Sequence, residues 1–272
     1  MSAPQVAALQ MSSRADVAQN LAAARLLLER ARADGAVLAV LPENFSFMGH
    51  HEGERRAIVE ADGDGPVQRA MSAAARELCL WIVAGTQPIA VPGEARPANA
   101  CIVYDAAGRR VARYDKIHLF DVDLPGGREN YRESENVVPG AQPVTVDTPA
   151  GRLGLSVCYD LRFPELYRKL VSEGAEILSV PSAFTGPTGR AHWEILLRAR
   201  AVENLSFVIA AAQTGIHDND RETYGDSLVV DWWGRVLARQ PRGTGVVTAA
   251  LDREGQRAAR RGFPALDHRR ID

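Results

Sequence analysis

VYDAAGRRVAR (103–113) and VVDWWGRVLAR (229–239) match over eleven positions, with glycine and then arginine in register. Each reads as a β-hairpin with its turn at the glycine, inside a longer hairpin at 99–116 and 226–240. What precedes them repeats as well. QVAALQMS (5–12) is strand-like, a helix is expected over 17–33, and AVLAVLPE (36–43) reads as a buried strand. In the second half RLGLSVCY (152–159) alternates Leu153, Leu155 and Val157 at period two. A helix over 164–173 and a buried strand AEILSVPSAF (175–184) follow. Each half then offers a helix (67–78 and 192–203) and an apolar strand, WIVAGTQ (81–87) and SFVIAAAQT (206–214).

Repeated strand–helix units with continuous apolar strands imply sheets covered by helices. Two such halves face to face predict an α/β protein with an internal pseudo-repeat: two sheets inside, helices outside. The stretch 117–140, rich in Asp, Glu, Pro and Gly, breaks the rhythm and is too long for a mere connection. The tail from Asp252 onward reads as a surface helix and arm, a candidate for packing against another subunit.

The 272 residues suffice for one large domain or two small ones. Hydrophobic residues make up 46% and charged residues 24%, ordinary for a globular protein. A net charge of -2, without like-sign blocks, argues against an electrostatic grip on nucleic acid or an anionic membrane. MSAPQVAALQ has no signal-peptide pattern, and the apolar runs are too short to cross a bilayer. Three cysteines without paired spacing argue against a disulfide framework and for a reducing compartment, the cytoplasm. Of 32 basic residues only Lys116 and Lys169 are lysine. A lysine kept in so arginine-rich a chain is a candidate for chemistry that arginine cannot do.

Glu43 follows the strand LAVLP, Lys116 ends the last strand of the first half, and Cys158 ends LGLSV before a turn. Catalytic groups in α/β proteins gather at the carboxyl ends of strands, so the three are expected to share a cleft. A thiolate is a nucleophile, a glutamate can take its proton and later activate water, and an ammonium stabilises an oxyanion. The Tyr159 N–H is a candidate second oxyanion donor, and Glu133 is placed to orient the leaving group or to position Lys116. Taken singly, Glu43 also reads as a helix cap, Lys116 as a surface residue, and a lone cysteine as a small buried hydrophobe. That last reading is the one we take for Cys79 and Cys101. Phe45, Arg162, Phe184 and Thr185 lie beside these motifs as candidate substrate contacts. Arg162 matches a carboxylate two-pronged, or else forms a structural ion pair with Asp160 or Glu165.

LPENF (41–45), YDKIHLFDVDLP (114–125), RESENVVPG (132–140) and GLSVCYDLRFPELYR (154–168) closely resemble the nitrilase superfamily of carbon–nitrogen hydrolases. The resemblance runs over essentially the whole chain. It implies one domain over 1–272, an α-β-β-α four-layer sandwich that dimerises across helices, and a catalytic triad of Glu43, Lys116 and Cys158 with Glu133 as second glutamate. No metal and no organic cofactor are implied. SAFTGPTGRAHWEILLRARAVEN (182–204) and YGDSLVVDWWG (224–234) are most similar to the branch holding deaminated glutathione amidases and ω-amidases. That branch implies release of ammonia from the terminal amide of a small 2-oxo acid amide. Asp226, where relatives often carry histidine, and Trp232, in place of a common proline, bear on the substrate and not on the chemistry.

Three other classes are weighed. A Cys–His hydrolase would use His118 or His192 as base, but Cys158 lacks a cysteine-protease context. A zinc site would need ligand spacing that His50, His51 and Cys158 lack. A non-catalytic interaction protein on the same fold would commonly have lost one of Glu43, Lys116 and Cys158.

Overall fold

The computed structural model describes residues 3–124 and 130–271. The first half runs β1 (Gln5–Gln10), α1 (Val17–Ala33), β2 (Leu38–Val40), α2 (Pro66–Leu78), β3 (Trp81–Val83), β4 (Gln87–Ile89), β5 (Ala98–Tyr104) and β6 (Arg110–Asp115). A small hairpin of β7 (Asp121–Asp123) and β8 (Asn130–Arg132) crosses between the halves. The second half runs β9 (Thr145–Thr148), β10 (Gly151–Leu155), α3 (Pro164–Ser172), β11 (Ile177–Ser179), α4 (Gly186–Asn204), β12 (Phe207–Ala210), β13 (Thr214–Ile216), β14 (Glu222–Tyr224), β15 (Ser227–Val230), β16 (Val236–Gln240), β17 (Gly245–Ala250) and α5 (Arg253–Gly262).

The two large sheets repeat one plan. In the first the order is β17-β1-β2-β3-β5-β4, with β6 paired to β5; in the second it is β16-β15-β12-β11-β10-β9. Each has three parallel strands at its centre, β1-β2-β3 and β10-β11-β12, flanked by antiparallel neighbours. The two matching hairpins also share their turn chemistry. Asp105 Oδ1 accepts from Ala107 N and Arg109 N at 2.9 Å each, and Asp231 Oδ1 accepts from Trp233 N at 2.9 Å and Arg235 N at 2.8 Å. Gly108 and Gly234 follow with φ of 78° and 84°, a conformation that glycine adopts without steric cost.

Period-two alternation sorts the first sheet's residues into two layers. Val6, Ala8, Leu38, Val40, Val83, Cys101 and Val103 face the second sheet and join its Leu153, Leu155 and Ile177. Ala7, Leu9, Ala39, Leu41, Ile82 and Ile102 face the other way, onto Ala24 and Leu28 of α1 and Met71 and Ala75 of α2. On the far face of the second sheet lie Tyr167 and Leu170 of α3 and Trp193 and Leu197 of α4. The result is the expected four-layer sandwich.

Several boundaries differ from expectation. The strands expected over 36–43 and 175–184 contract to Leu38–Val40 and Ile177–Ser179. Pro42 and Pro181 lack the N–H a ladder needs, so the chain leaves both sheets there. Helix α4 begins at Gly186 rather than 192, because Thr185 caps it by accepting from Thr188 N. Cys79 is exposed, not buried: it takes the left-handed cap position of α2 at φ 49°. The segment expected as one long excursion, 117–140, contains the β7–β8 hairpin, and its residues 125–129 lie outside the described residues. Helix α5 docks on its own chain, with Gln256 Nε2 donating to Glu176 O at 2.8 Å and Leu205 O at 2.9 Å. Among the described residues no helix is long and apolar enough to cross a membrane.

Candidate active site

Glu43, Lys116 and Cys158 meet where the carboxyl ends of β2, β6 and β10 converge. Lys116 follows β6, and its backbone N–H donates to Asn99 O at 3.1 Å. Its ammonium, 2% exposed, is held between Glu43 Oε1 at 2.9 Å and Glu133 Oε2 at 2.8 Å. Glu133 opens a single 3-10 turn after β8 and also accepts from Phe120 N at 2.8 Å. Asn99 Nδ2 donates at 3.3 Å to both carboxylates, to Glu43 Oε1 and to Glu133 Oε1. On the backbone side the Glu43 carbonyl accepts from Gln213 Nε2 at 3.0 Å, a contact from the other half of the chain.

Cys158 opens a 3-10 turn (Cys158–Arg162) with φ 47°, the left-handed region that costs an ordinary residue on the order of 1–2 kcal/mol. Its N–H donates to Pro181 O at 2.8 Å, which holds the turn against the second sheet. The Glu43 carboxylate and the Ala183 N–H both act on the Cys158 thiol, the first raising its pKa and the second lowering it.

The electrostatics assign the protons. Burial alone would raise the Glu43 carboxyl, but the Lys116 ammonium, by charge and by hydrogen bond, carries it below its ordinary 4.5. Burial alone would lower Lys116, but the charges of Glu133 and Glu43 hold it well above its ordinary 10.5. For Cys158, burial and then the Glu43 charge push the thiol well above its ordinary 9.0, against the pull of Lys116 and the Ala183 N–H. The resting site is therefore thiol, carboxylate and ammonium. A thiol beside a buried carboxylate is the arrangement from which a nucleophile is made on demand.

These groups form the floor of a pocket walled by Phe120, Tyr131, Tyr159 and Phe184. Phe120 and Tyr159 meet edge to face with centroids 5.0 Å apart. Four guanidinium groups line it: Arg55, Arg132, Arg162 and Arg221. Arg132 pairs with Asp123 at 2.8 Å, and Arg221 donates to Ala183 O at 2.7 Å. Arg162 pairs with neither Asp160 nor Glu165 among the described residues. It donates to His192 Nδ1 at 3.2 Å and lies over the Phe184 ring, 5.7 Å from its centroid.

Of the expected site residues, Glu43, Lys116, Glu133, Cys158, Tyr159, Arg162, Phe184 and Thr185 all line this pocket. Phe45 does not. It is fully buried in the layer between the first sheet and helices α1 and α2, because the chain turns at Asn44 (φ 58°) and drives the ring into the core. Lys169, the other lysine, is exposed on α3 and pairs with Glu173 at 3.3 Å. Neither histidine weighed as a base pairs with Cys158 among the described residues: His118 Nδ1 is bound to Asp160 and His192 to Arg162. No group of three or more His, Cys, Asp or Glu side chains there is placed to hold a metal ion. Asn99 and Gln213 escape the sequence reading, where their one signal is a polar side chain inside an apolar strand-like run.

Residues 5–261 match the model of the carbon–nitrogen hydrolase family. The chain is 40% identical over 267 residues to the deaminated glutathione amidase of Yersinia enterocolitica, covering 98% of this chain and 93% of that one. It is 42% identical over 281 residues to the deaminated glutathione amidase of Homo sapiens, covering 99% and 83%. Among solved structures, the C. elegans NitFhit protein superposes with a TM-score of 0.90 at 40% identity, over 99% of this chain and 66% of that longer one. Saccharomyces cerevisiae Nit3, described as a member of branch 10 of the nitrilase superfamily, gives 0.89 at 30% identity, over 99% and 97%.

Proposed function

We propose a reaction from one premise: this chain belongs to the carbon–nitrogen hydrolase family, within the nitrilase superfamily, and is an enzyme that hydrolyses amides. In the proposed reaction Glu43 takes the proton of Cys158 and the thiolate attacks the amide carbon. The Lys116 ammonium and the Tyr159 N–H hold the oxyanion. Collapse expels the amine, ammonia from a primary amide or cysteinylglycine from deaminated glutathione, which takes its proton from Glu43, and leaves a thioester on Cys158. Glu43 then activates water to hydrolyse the thioester, freeing the acid and returning the proton to sulfur. Glu133 holds Lys116 in place throughout. The observation that carries this reading is the Lys116 ammonium 2.9 Å from the Glu43 carboxylate, with Cys158 lining the same pocket.

The substrate proposed first is deaminated glutathione, attacked at the amide that joins its 2-oxo acid moiety to the cysteine nitrogen. Two relatives at 40% and 42% identity bear that substrate in their names. The arginines of the pocket suit a carboxylated ligand, with Arg162 as the anchor and Phe184 and Thr185 beside it. An ω-amidase activity on α-ketoglutaramate, or action on another small linear amide or N-carbamoyl compound, is the second reading. Release of cysteinylglycine from deaminated glutathione, set against release of ammonia from α-ketoglutaramate, glutamine and an aliphatic nitrile, decides between them, with Cys158→Ala as control. Preference for deaminated glutathione, abolished in the variant, supports both chemistry and substrate; full release by the variant overturns the mechanism.

We further read one domain over 1–272 working in the cytoplasm as a homodimer. Three free cysteines suit a reducing compartment, and Ile195 (70% exposed) and Val202 (48%) on α4 leave apolar surface for a partner copy. Sedimentation of a monomeric species at micromolar concentration would refute the dimer.

A further inference from the structure

Lys116 and Cys158 come from strands in different sheets, so no shared ladder sets the distance between them. Asp160 joins the two segments. Its carboxylate is fully buried and accepts four hydrogen bonds. Oδ2 takes the Tyr114 hydroxyl at 2.7 Å and the Val157 N–H at 2.8 Å. Oδ1 takes the His118 N–H at 3.0 Å and His118 Nδ1 at 2.7 Å. Tyr114 and His118 stand two residues before and two after Lys116, and the Tyr114 oxygen also accepts from Ile117 N at 3.3 Å. Val157 and Asp160 stand on either side of Cys158. The His118 ring stacks on Phe163, just past the same turn, at 3.7 Å and 6°.

We propose that Asp160 is a positioning residue for the reaction: a buried carboxylate that clamps the segment carrying Lys116 to the turn carrying Cys158. The inference rests on the reading that those two residues perform the hydrolysis. Burying a charge costs several kcal/mol, and a packed apolar pair would join two sheets at least as stably. A carboxylate does something apolar packing does not: it fixes both segments in direction as well as distance, through four aligned donors. Attack on the amide carbon needs the ammonium and the sulfur in register, and a misplacement of about 1 Å costs on the order of 100-fold.

The test is Asp160→Asn, which keeps the shape but turns an NH2 toward two of the four donors. We expect kcat to fall about 100-fold with KM for the amide little changed. Rates are taken per folded molecule, with the folded fraction measured by size-exclusion chromatography and thermal melting, so that loss of folded protein does not register. Tyr114→Phe removes one donor and should lower kcat about 3- to 10-fold, the worth of one hydrogen bond. The double variant should fall no further than Asp160→Asn alone. If Asp160→Asn does not fold, Tyr114→Phe carries the test, and an unchanged kcat in it overturns the clamp. Parental kcat per site in Asp160→Asn, or effects that simply multiply in the double variant, overturn it equally. Cys158→Ala, run alongside, separates the two failures: activity there sinks the mechanism, whereas an inactive Cys158→Ala beside a normal Asp160→Asn sinks the clamp alone.

Discussion

Lys116 Nζ stands 2.9 Å from Glu43 Oε1, both groups buried, and this contact determines how the site responds to pH. It depresses the Glu43 carboxyl below its ordinary 4.5, while Cys158 is pushed well above its ordinary 9.0. The rate should therefore stay level across the neutral range and decline only in acid, with a midpoint below 4.5, as the base becomes protonated. A kcat/KM profile of amide hydrolysis checks this. A midpoint near ~6.5, the free imidazole value, would instead point to a histidine base.

The same depressed carboxyl ties stability to acid. Glu43 ionises more readily folded than unfolded, so its contribution is present above the unfolded value and is lost as pH falls through the folded one. Lys116, raised above 10.5, gives a contribution that is whole below the unfolded value and is lost only as pH rises through the folded one. The thermal midpoint should hold through the neutral range and drop below about pH 4, near the ordinary carboxylate value. A midpoint already falling between pH 7 and 6 would contradict this assignment.

Lys116→Arg keeps the charge but replaces a compact ammonium with a planar fork too large for the space between Glu43 and Glu133. We expect turnover to fall by about 10²–10³, the usual loss on removing one oxyanion donor, with the protein still folded. Near-parental turnover would remove Lys116 from the mechanism.

Arg162→Gln should act on binding. If the guanidinium anchors a substrate carboxylate, its loss costs about 1.5–3 kcal/mol, a rise in KM of about 10- to 100-fold, while kcat changes far less. Titration with amides that carry and lack a carboxylate tells the cases apart. Equal losses for both would assign Arg162 to shaping the wall with Phe184 instead.

Gly85 has φ 40°, and a Cβ there would run into the carbonyl of Pro42, the residue before Glu43. Gly85→Ala should lower both thermal stability and kcat, because relief of the clash moves the Glu43 backbone. Gly93→Ala is the comparison: φ is 80° and nothing lies within 4 Å, so it bears only backbone strain of about 1 kcal/mol. A parental kcat in Gly85→Ala would show that Glu43 tolerates the displacement.

The repeat of the two hairpins made the layered fold legible, together with the continuous apolar runs of β1 and β5 and the period-two alternation of β10. The converging strand ends brought Glu43, Lys116 and Cys158 together on the same logic, and the resemblance of their motifs to one superfamily joined Glu133 to them. What the sequence concealed depends on direction. Phe45 sits two residues past Glu43 and looked like a pocket wall, but a single left-handed residue at Asn44 reverses which way it faces. The side chains of Asn99, Asp160 and Gln213 each reach at least one partner more than 30 residues distant, and nothing in their neighbours' identities announces those buried hydrogen bonds.

Strand β17 completes the first sheet by pairing antiparallel with β1, from Gln5 with Ala250 to Gln10 with Gly245. During synthesis the edge of β1 must therefore wait, unpaired, until the second half has been made and has emerged from the ribosome. Such an edge is a ready template for pairing with a neighbouring chain. The long interval between the two strands makes this closure slow relative to local folding. Newly made chains are accordingly most exposed to mispairing before residue 250 appears, and a dissected first half, expressed alone, would keep that edge open for good.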